Sequence, residues 1–302
     1  MGKNIKAASF INYSIAFLAG ALISIMVVCN TELGLKTSNN ISITMNQLVG
    51  IIALTIVMVC TKGNKSINPD RKPAPLWRWF GGLFGLAILT INYFAVSRAG
   101  TTIAMAAAVL GQCIMGLVFD LTGFMGMEKR AISKKKLIAL AISFIGILIM
   151  LFFSGDKNLF DILFYAFLSI IAGALTMTQM VYNSGFAKLK GPLFSARQNV
   201  ISGLAGITLF IILFNFHGAI DALHGLKELT LFQIASGGIL GTAVVVCANV
   251  VIPKIPGAVS SILMSAGQIL TAVLLDYFMY SVFEPSLIIG SLLMIVGIAL
   301  SE

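Results

Sequence analysis

Charge is what this sequence has least of. Only 10% of its 302 residues are Asp, Glu, Lys or Arg, whereas a soluble domain carries about 25%. That shortfall excludes a water-solvated globule. A 58% hydrophobic content and a mean hydropathy of +0.99 name the bilayer as the solvent. Histidines number two and cysteines four. His217 and His224 lack the further carboxylates or cysteines that would complete a metal site. Cys29, Cys60, Cys113 and Cys247 show no C-x-x-C spacing, so neither metal, disulfide framework nor cofactor is expected. There is no Walker loop and no Ser-His-Asp order, which argues against ATP-driven pumping or hydrolysis by this chain. The apolar runs are continuous rather than alternating, which excludes a transmembrane β-barrel. The first of them has no small-residue cleavage site and is read as a retained helix.

What is present is a series of apolar stretches of spanning length, about 17 to 25 residues each. Ten are predicted, at approximately 10–30, 41–60, 77–97, 101–122, 136–153, 163–183, 195–216, 231–251, 258–280 and 286–301. The fold class expected is therefore an all-α polytopic membrane protein. The net charge of +9 would suggest nucleic acid in a soluble protein. Here the basic residues sit between apolar stretches and act as topology signals, so a nucleic-acid partner is not expected. With the N-terminus inside, sixteen Lys and Arg fall on inner segments. Only Lys36, Arg98, Lys157 and Lys227 fall outside. Both termini are then cytoplasmic, in a plasma or inner membrane, with Trp77 and Trp79 anchoring the inner interface beside Arg78.

The chain also repeats. Ala19-Gly20-Ala21-Leu22 recurs as Ala172-Gly173-Ala174-Leu175, and Asn30 recurs as Asn183. Gly81-Gly82-Leu83-Phe84-Gly85 recurs as Gly237-Gly238-Ile239-Leu240-Gly241. Gly111-Gln112 with Asp120 recurs as Gly267-Gln268 with Asp276. The offset moves only from 153 to 156. Five helices per repeat is an odd number, so the halves, 1–156 and 157–302, would enter the membrane from opposite sides. Such inverted repeats suit alternating access. The glycine and alanine stretches serve first for close helix packing.

These residues, Gly81-Gly82 to Gly85, Gly111-Gln112, Asp120 and the closing apolar helix, resemble one unit of the YdcZ-like branch of the drug/metabolite transporter superfamily. The chain looks like a fused, two-unit member. The resemblance implies ten helices, inverted halves, a central cavity lined by the first, third and fourth helices of each half, and transport of a small solute whose identity it does not fix.

Polar side chains in a bilayer core are costly unless they face protein or water. Gln112 and Gln268, symmetry mates near the middles of their helices, are candidate substrate contacts; interhelical glue is the alternative. Asn30, Asn46 and Asn92 fall in the outer parts of their helices. Asn183, Asn199 and Asn249 fall in the inner parts, with Tyr182 beside Asn183. Together they outline a polar track, or else serve as caps and glue. Asp120 and Asp276, the acidic residues within the spans, lie near helix ends. Paired by side with Lys254 and Arg98, they are candidate gates; snorkelling to the interface is the alternative. The absence of a midplane carboxylate disfavours a permanently cationic solute. The expected partners are thus a small polar solute and membrane lipid. Internal duplication makes a monomer sufficient, with a homodimer as the other arrangement. The competing functional class is a membrane enzyme or lipid-handling protein, which would cluster acids, bases or arginines at one interface.

Overall fold

A chain with this little charge must satisfy its backbone within itself, and the α-helix does so segment by segment. The computed structural model describes residues 2–61, 73–123, 129, 134–153, 158–251 and 257–300, and among these there is no strand. The helices are α1 (Gly2–Lys36), α2 (Asn39–Cys60), α3 (Gly82–Ala99), α4 (Thr101–Thr122), α5 (Lys134–Phe152), α6 (Leu159–Lys190), α7 (Pro192–Phe214), α8 (Phe216–Leu223), α9 (Leu231–Val251), α10 (Gly257–Tyr280) and α11 (Pro285–Leu300). A 3₁₀ turn, Leu76–Phe80, leads into α3, and another, His224–Glu228, follows α8. Each of the ten predicted stretches overlaps an α-helix among the described residues, although 77–97 begins in the 3₁₀ turn and 195–216 runs past Asn215 into α8. Between the seventh and eighth predicted stretches, the segment with His217 and His224 is α8 and the 3₁₀ turn after it.

Seven spans among the described residues are long and apolar enough to cross a membrane, or eight if the pair Phe216–Glu228 and Leu231–Cys247, bent by 108°, is one span. The helices α5 and α11 are shorter, at 19 and 16 residues. At 1.5 Å per residue the 16 residues of α11 reach about 24 Å, less than the roughly 30 Å hydrocarbon core. The protein is a polytopic helical membrane protein. Phe160, Phe153 and Phe214, each more than 70% exposed, are surfaces that lipid tails cover.

Connections as short as one residue need unusual backbone angles. Gly100 (φ 94°) alone separates α3 from α4, and Gly191 (φ 99°) alone separates α6 from α7. Both lie where L side chains are strained, which is why glycine stands there.

By contact the chain divides into two compact units. One comprises Met1–Ile25, Phe94–Ala174 and Ala243–Glu302; the other comprises Met26–Tyr93 and Leu175–Thr242. Each unit takes segments from both sequence halves, so partition by contact and partition by repeat are different divisions of the chain.

In the first unit the core joins Ala106, Val109 and Leu110 of α4, Ile147 and Met150 of α5, Ile269 of α10 and Met294 of α11. Gly146 of α5 and Gly290 of α11 face each other. A Cβ on Gly146 would come within 2.7 Å of the Gly290 carbonyl oxygen. Two further crossings are related by the repeat. A Cβ on Gly20 (α1) would strike the Met264 carbonyl (α10), and one on Gly267 would strike the Phe17 carbonyl. Correspondingly, Gly173 (α6) meets the Ala108 carbonyl (α4), and Gly111 meets that of Ile170. The repeated glycines are contact points at which backbones touch.

In the second unit α2 crosses α7. A Cβ on Gly50 would lie 3.2 Å from Val200, and one on Gly203 would lie 2.7 Å from the Gln47 amide. The Gly82 N–H at the start of α3 donates to the Ser202 hydroxyl at 2.9 Å.

Candidate solute site

Two asparagine clusters form in the second unit, and their members correspond one to one by the repeat. In the first, Asn46 Nδ2 donates to Asn30 Oδ1 (3.1 Å), and the Ser42 hydroxyl donates to the Asn30 carbonyl (2.5 Å). In the other, Asn183 Nδ2 donates to Asn199 Oδ1 (3.0 Å), and the Ser195 hydroxyl donates to the Asn183 carbonyl (2.9 Å). Gly81, just before α3, and Gly237 of α9 complete them. A Cβ on Gly237 would strike Asn30 Oδ1, and one on Gly81 would strike Asn183 Oδ1. Only glycine lets the asparagine amides come this close to a neighbouring helix.

The clusters differ where the repeat is broken. Near Asn199 stands Gln179, whose Nε2 donates both to Asn199 Oδ1 and to the Gly81 carbonyl, each at 3.1 Å. The residue equivalent to Gln179 is Met26, whose sulfur lies 3.2 Å from where a Gly241 Cβ would stand. Gln179 ties its cluster together. The first cluster has no such tie and carries Asn92 instead. Asn30 and Asn92 are 9% and 8% exposed. Asn30 Nδ2 and Asn92 Oδ1 have no hydrogen-bond partner among the described residues. Both residues line one cavity of about 10 Å³, together with Thr31, Asn39, Ser42 and Tyr93. That is room for a single water, the minimum being about 10–15 Å³. A buried orphan donor and a buried orphan acceptor on one cavity are costly unless something fills it. No charged side chain lines it.

The other predicted residues divide as follows. Gln268 is buried in the first unit. Its Nε2 donates to the Met105 sulfur at 3.5 Å, and its backbone carbonyl accepts from the Ser24 hydroxyl at 2.6 Å. Gln112 is half-buried on α4 in the same unit. The glutamines and the asparagine clusters thus belong to different compact units. Tyr182 is buried; its hydroxyl donates to the Trp77 carbonyl, and its ring meets Trp77 and Phe84 edge-on. Asn249 lies in the last turn of α9, its side chain outside the described residues, as is Lys254.

Asp276 has a different partner from the one expected. Its two carboxylate oxygens accept from the N–H groups of Thr101 (2.9 Å) and Thr102 (2.6 Å), the first residues of α4. Arg98 is exposed and makes no ion pair among the described residues. The reason is physical: the first N–H groups of a helix have no partner within it, and the helix dipole favours a negative charge there. A buried carboxylate gains two charge-assisted bonds without desolvating a guanidinium. Asp120, its repeat mate, is half-buried in the last turns of α4. Reading one span at a time missed Gln47, Gln179, Ser42 and Ser195. The two serines stand at the same offset of 153 as the asparagines they hold, a signal present in the sequence.

A family model described as "Putative inner membrane exporter, YdcZ" matches the chain twice, over residues 11–149 and 164–300. A solved structure described only as "Crystal structure of protein" is similar in fold, with a TM-score of 0.57 and 17% identity. The match covers 95% of this chain and 97% of that one. No curated protein matches the sequence. Matched along nearly its whole length by two copies of one family model, the chain belongs to the YdcZ exporter family and is a multi-pass protein of the inner membrane.

Proposed function

We propose that the protein is a secondary transporter that carries a small polar, uncharged solute outward by alternating access. Its ten helices act as two inverted five-helix repeats with both termini cytoplasmic. One observation carries the solute class: Asn30 Nδ2 and Asn92 Oδ1, buried and unpartnered, line a common cavity free of charged side chains. A hydroxyl or amide on a solute would satisfy both, while a carboxylate or ammonium would leave one of them unanswered and its own charge uncompensated. The double family match and the paired contacts at offsets of 153 and 156 support the repeat reading. The cavity has room for one water at most in this conformation, so a solute enters when α1, α2 and α3 separate around it. Asn183 and Tyr182 act as glue. Gln112 and Gln268 form a second polar station in the first unit, and Asp120 and Asp276 act at the gates.

The test is solute counterflow into proteoliposomes of purified protein, run over polyols, primary amides, nucleobases and amino acids. Counterflow of at least one neutral polar compound is expected. Asn30→Ala and Asn92→Ala should each raise its KM about ten-fold, the cost of leaving one buried hydrogen-bonding group unmet. If no compound moves faster than through empty liposomes, the transporter reading fails. If a compound moves and neither substitution changes its KM, the site lies elsewhere and Gln112 and Gln268 are next. Asn183→Ala serves as the control: it should lower thermal stability and leave KM within about two-fold, because its amide is already engaged by Asn199.

A further inference from the structure

The 3₁₀ turn Leu76–Phe80 does not line the Asn30–Asn92 cavity. Its carbonyls are held by side chains of α6 and α7: Tyr182 donates to Trp77, and Gln198 Nε2 donates to Trp79 at 3.3 Å. Trp79 also meets Phe186 and Phe194 edge-on at 5.4 and 5.9 Å. The turn is therefore fixed, and with it Arg78. The Arg78 guanidinium stacks over the Trp77 ring at 4.7 Å and fills the space beside Gly185, where a Cβ would strike it. Arg197, next to Gln198, buries its Nε with no hydrogen-bond partner among the described residues. Lys188 and Lys190 end α6 close by in sequence. No Asp or Glu occurs between 71 and 119 or between 162 and 220. The preceding segment, 62–72, has one acid, Asp70, against four basic residues. In the turn that carries Arg78, Leu76, Trp77 and Phe80 are 76%, 48% and 49% exposed. Exposed apolar and aromatic surface next to a fixed guanidinium is the arrangement of a bilayer interface at headgroup level.

We infer that Arg78 and Arg197 hold the phosphate of an anionic lipid headgroup against the Trp77–Trp79 turn. The planar fork suits a phosphate, and the buried Arg197 Nε has no hydrogen-bond partner among the described residues. The exposed Leu76 and Phe80 favour a lipid over a free anion, because they offer the acyl chains a surface.

Trp77 and Trp79 are the only tryptophans in the chain, so tryptophan emission excited selectively over tyrosine reports on this turn alone. The full-length protein is reconstituted in vesicles containing brominated phosphatidylglycerol or brominated phosphatidylcholine at equal mole fraction, and quenching gives the relative affinity. Preference for phosphatidylglycerol is expected to fall about five-fold for each of Arg78→Gln and Arg197→Gln, and to weaken in the wild type as salt is raised. Arg78→Lys, which keeps the charge and loses the fork, should fall between; Arg98→Gln should change nothing. Equal quenching by both lipids in the wild type, or a preference that survives the double variant, overturns the assignment. So does abolition of the preference by inorganic phosphate at constant ionic strength, which would make the site one for a free anion.

Discussion

Gly173→Ala should cost about 3 kcal/mol of stability, the upper end of what overpacking costs, and Gly173→Leu should leave no monodisperse folded protein. The Cβ of residue 173 would fall on the Ala108 carbonyl, a backbone atom of α4 that no rotamer change can remove. The two helices would have to separate. Their second contact one turn away, Gly111 against the Ile170 carbonyl, would be lost with the first. Because the repeat builds the same crossing between α1 and α10, Gly20→Ala should cost a similar amount. Gly206→Ala is the comparison: its neighbours are the terminal methyls of Leu83 and Leu86 at 2.6 and 2.8 Å, which can rotate away, so a cost below about 1 kcal/mol is expected. Unfolding in mixed micelles and thermal melting by size-exclusion profile measure both. If Gly173→Ala melts with the wild type, the backbone contact is not what holds α4 to α6.

Asp276→Ala is the other substitution with a large effect. It removes both acceptors from the Thr101 and Thr102 N–H groups, two buried donors that would then face an apolar surround. A hydrogen bond to a charged group contributes about 1.5–3 kcal/mol, and a lost N-cap costs about 0.5–2, so a loss of about 3 kcal/mol is expected for the pair. Asp276→Asn keeps one acceptor oxygen and should lose about half as much. The adjacent threonine hydroxyls are also fully buried and have no partner among the described residues. Thr102→Val should therefore be neutral or stabilising, because it removes an unmet group in place of a used one. The same melting assay decides. Equal stability of Asp276→Ala and wild type would mean that α4 starts without its cap, and the gate role proposed for Asp276 would lose its anchor.

The comparison of Asn30 with Asn183 shows where reading the sequence stops. The two are symmetry mates, and nothing in their local sequence ranks one above the other. The difference comes from residues that are not symmetry mates: Gln179 answers to Met26, and Asn92 answers to Ala248. Asn183 Nδ2 finds Asn199 on the neighbouring helix of its own half, whereas Asn30 Nδ2 stays unmet on a cavity lined by first-half helices alone, an outcome that only the packing of those helices decides. Likewise Asp276 and Arg98 stand on the same predicted side with opposite charge, which is all that a linear reading can weigh. The start of α4 is a stronger partner, and it becomes one only when α10 delivers the carboxylate to it.

The sequence by itself determined that this protein lives in a membrane, that it is helical, and that it is a duplication. Those properties follow from local rules: sustained apolarity requires a lipid solvent, lipid requires an internally satisfied backbone, and recurring glycines mark recurring contacts. Which helices meet, and which polar groups are left unanswered when they do, was decided only by the tertiary structure. A hydrogen bond between residues such as Asp276 and Thr101 depends on the crossing of two helices, and no segment of the chain encodes that crossing alone.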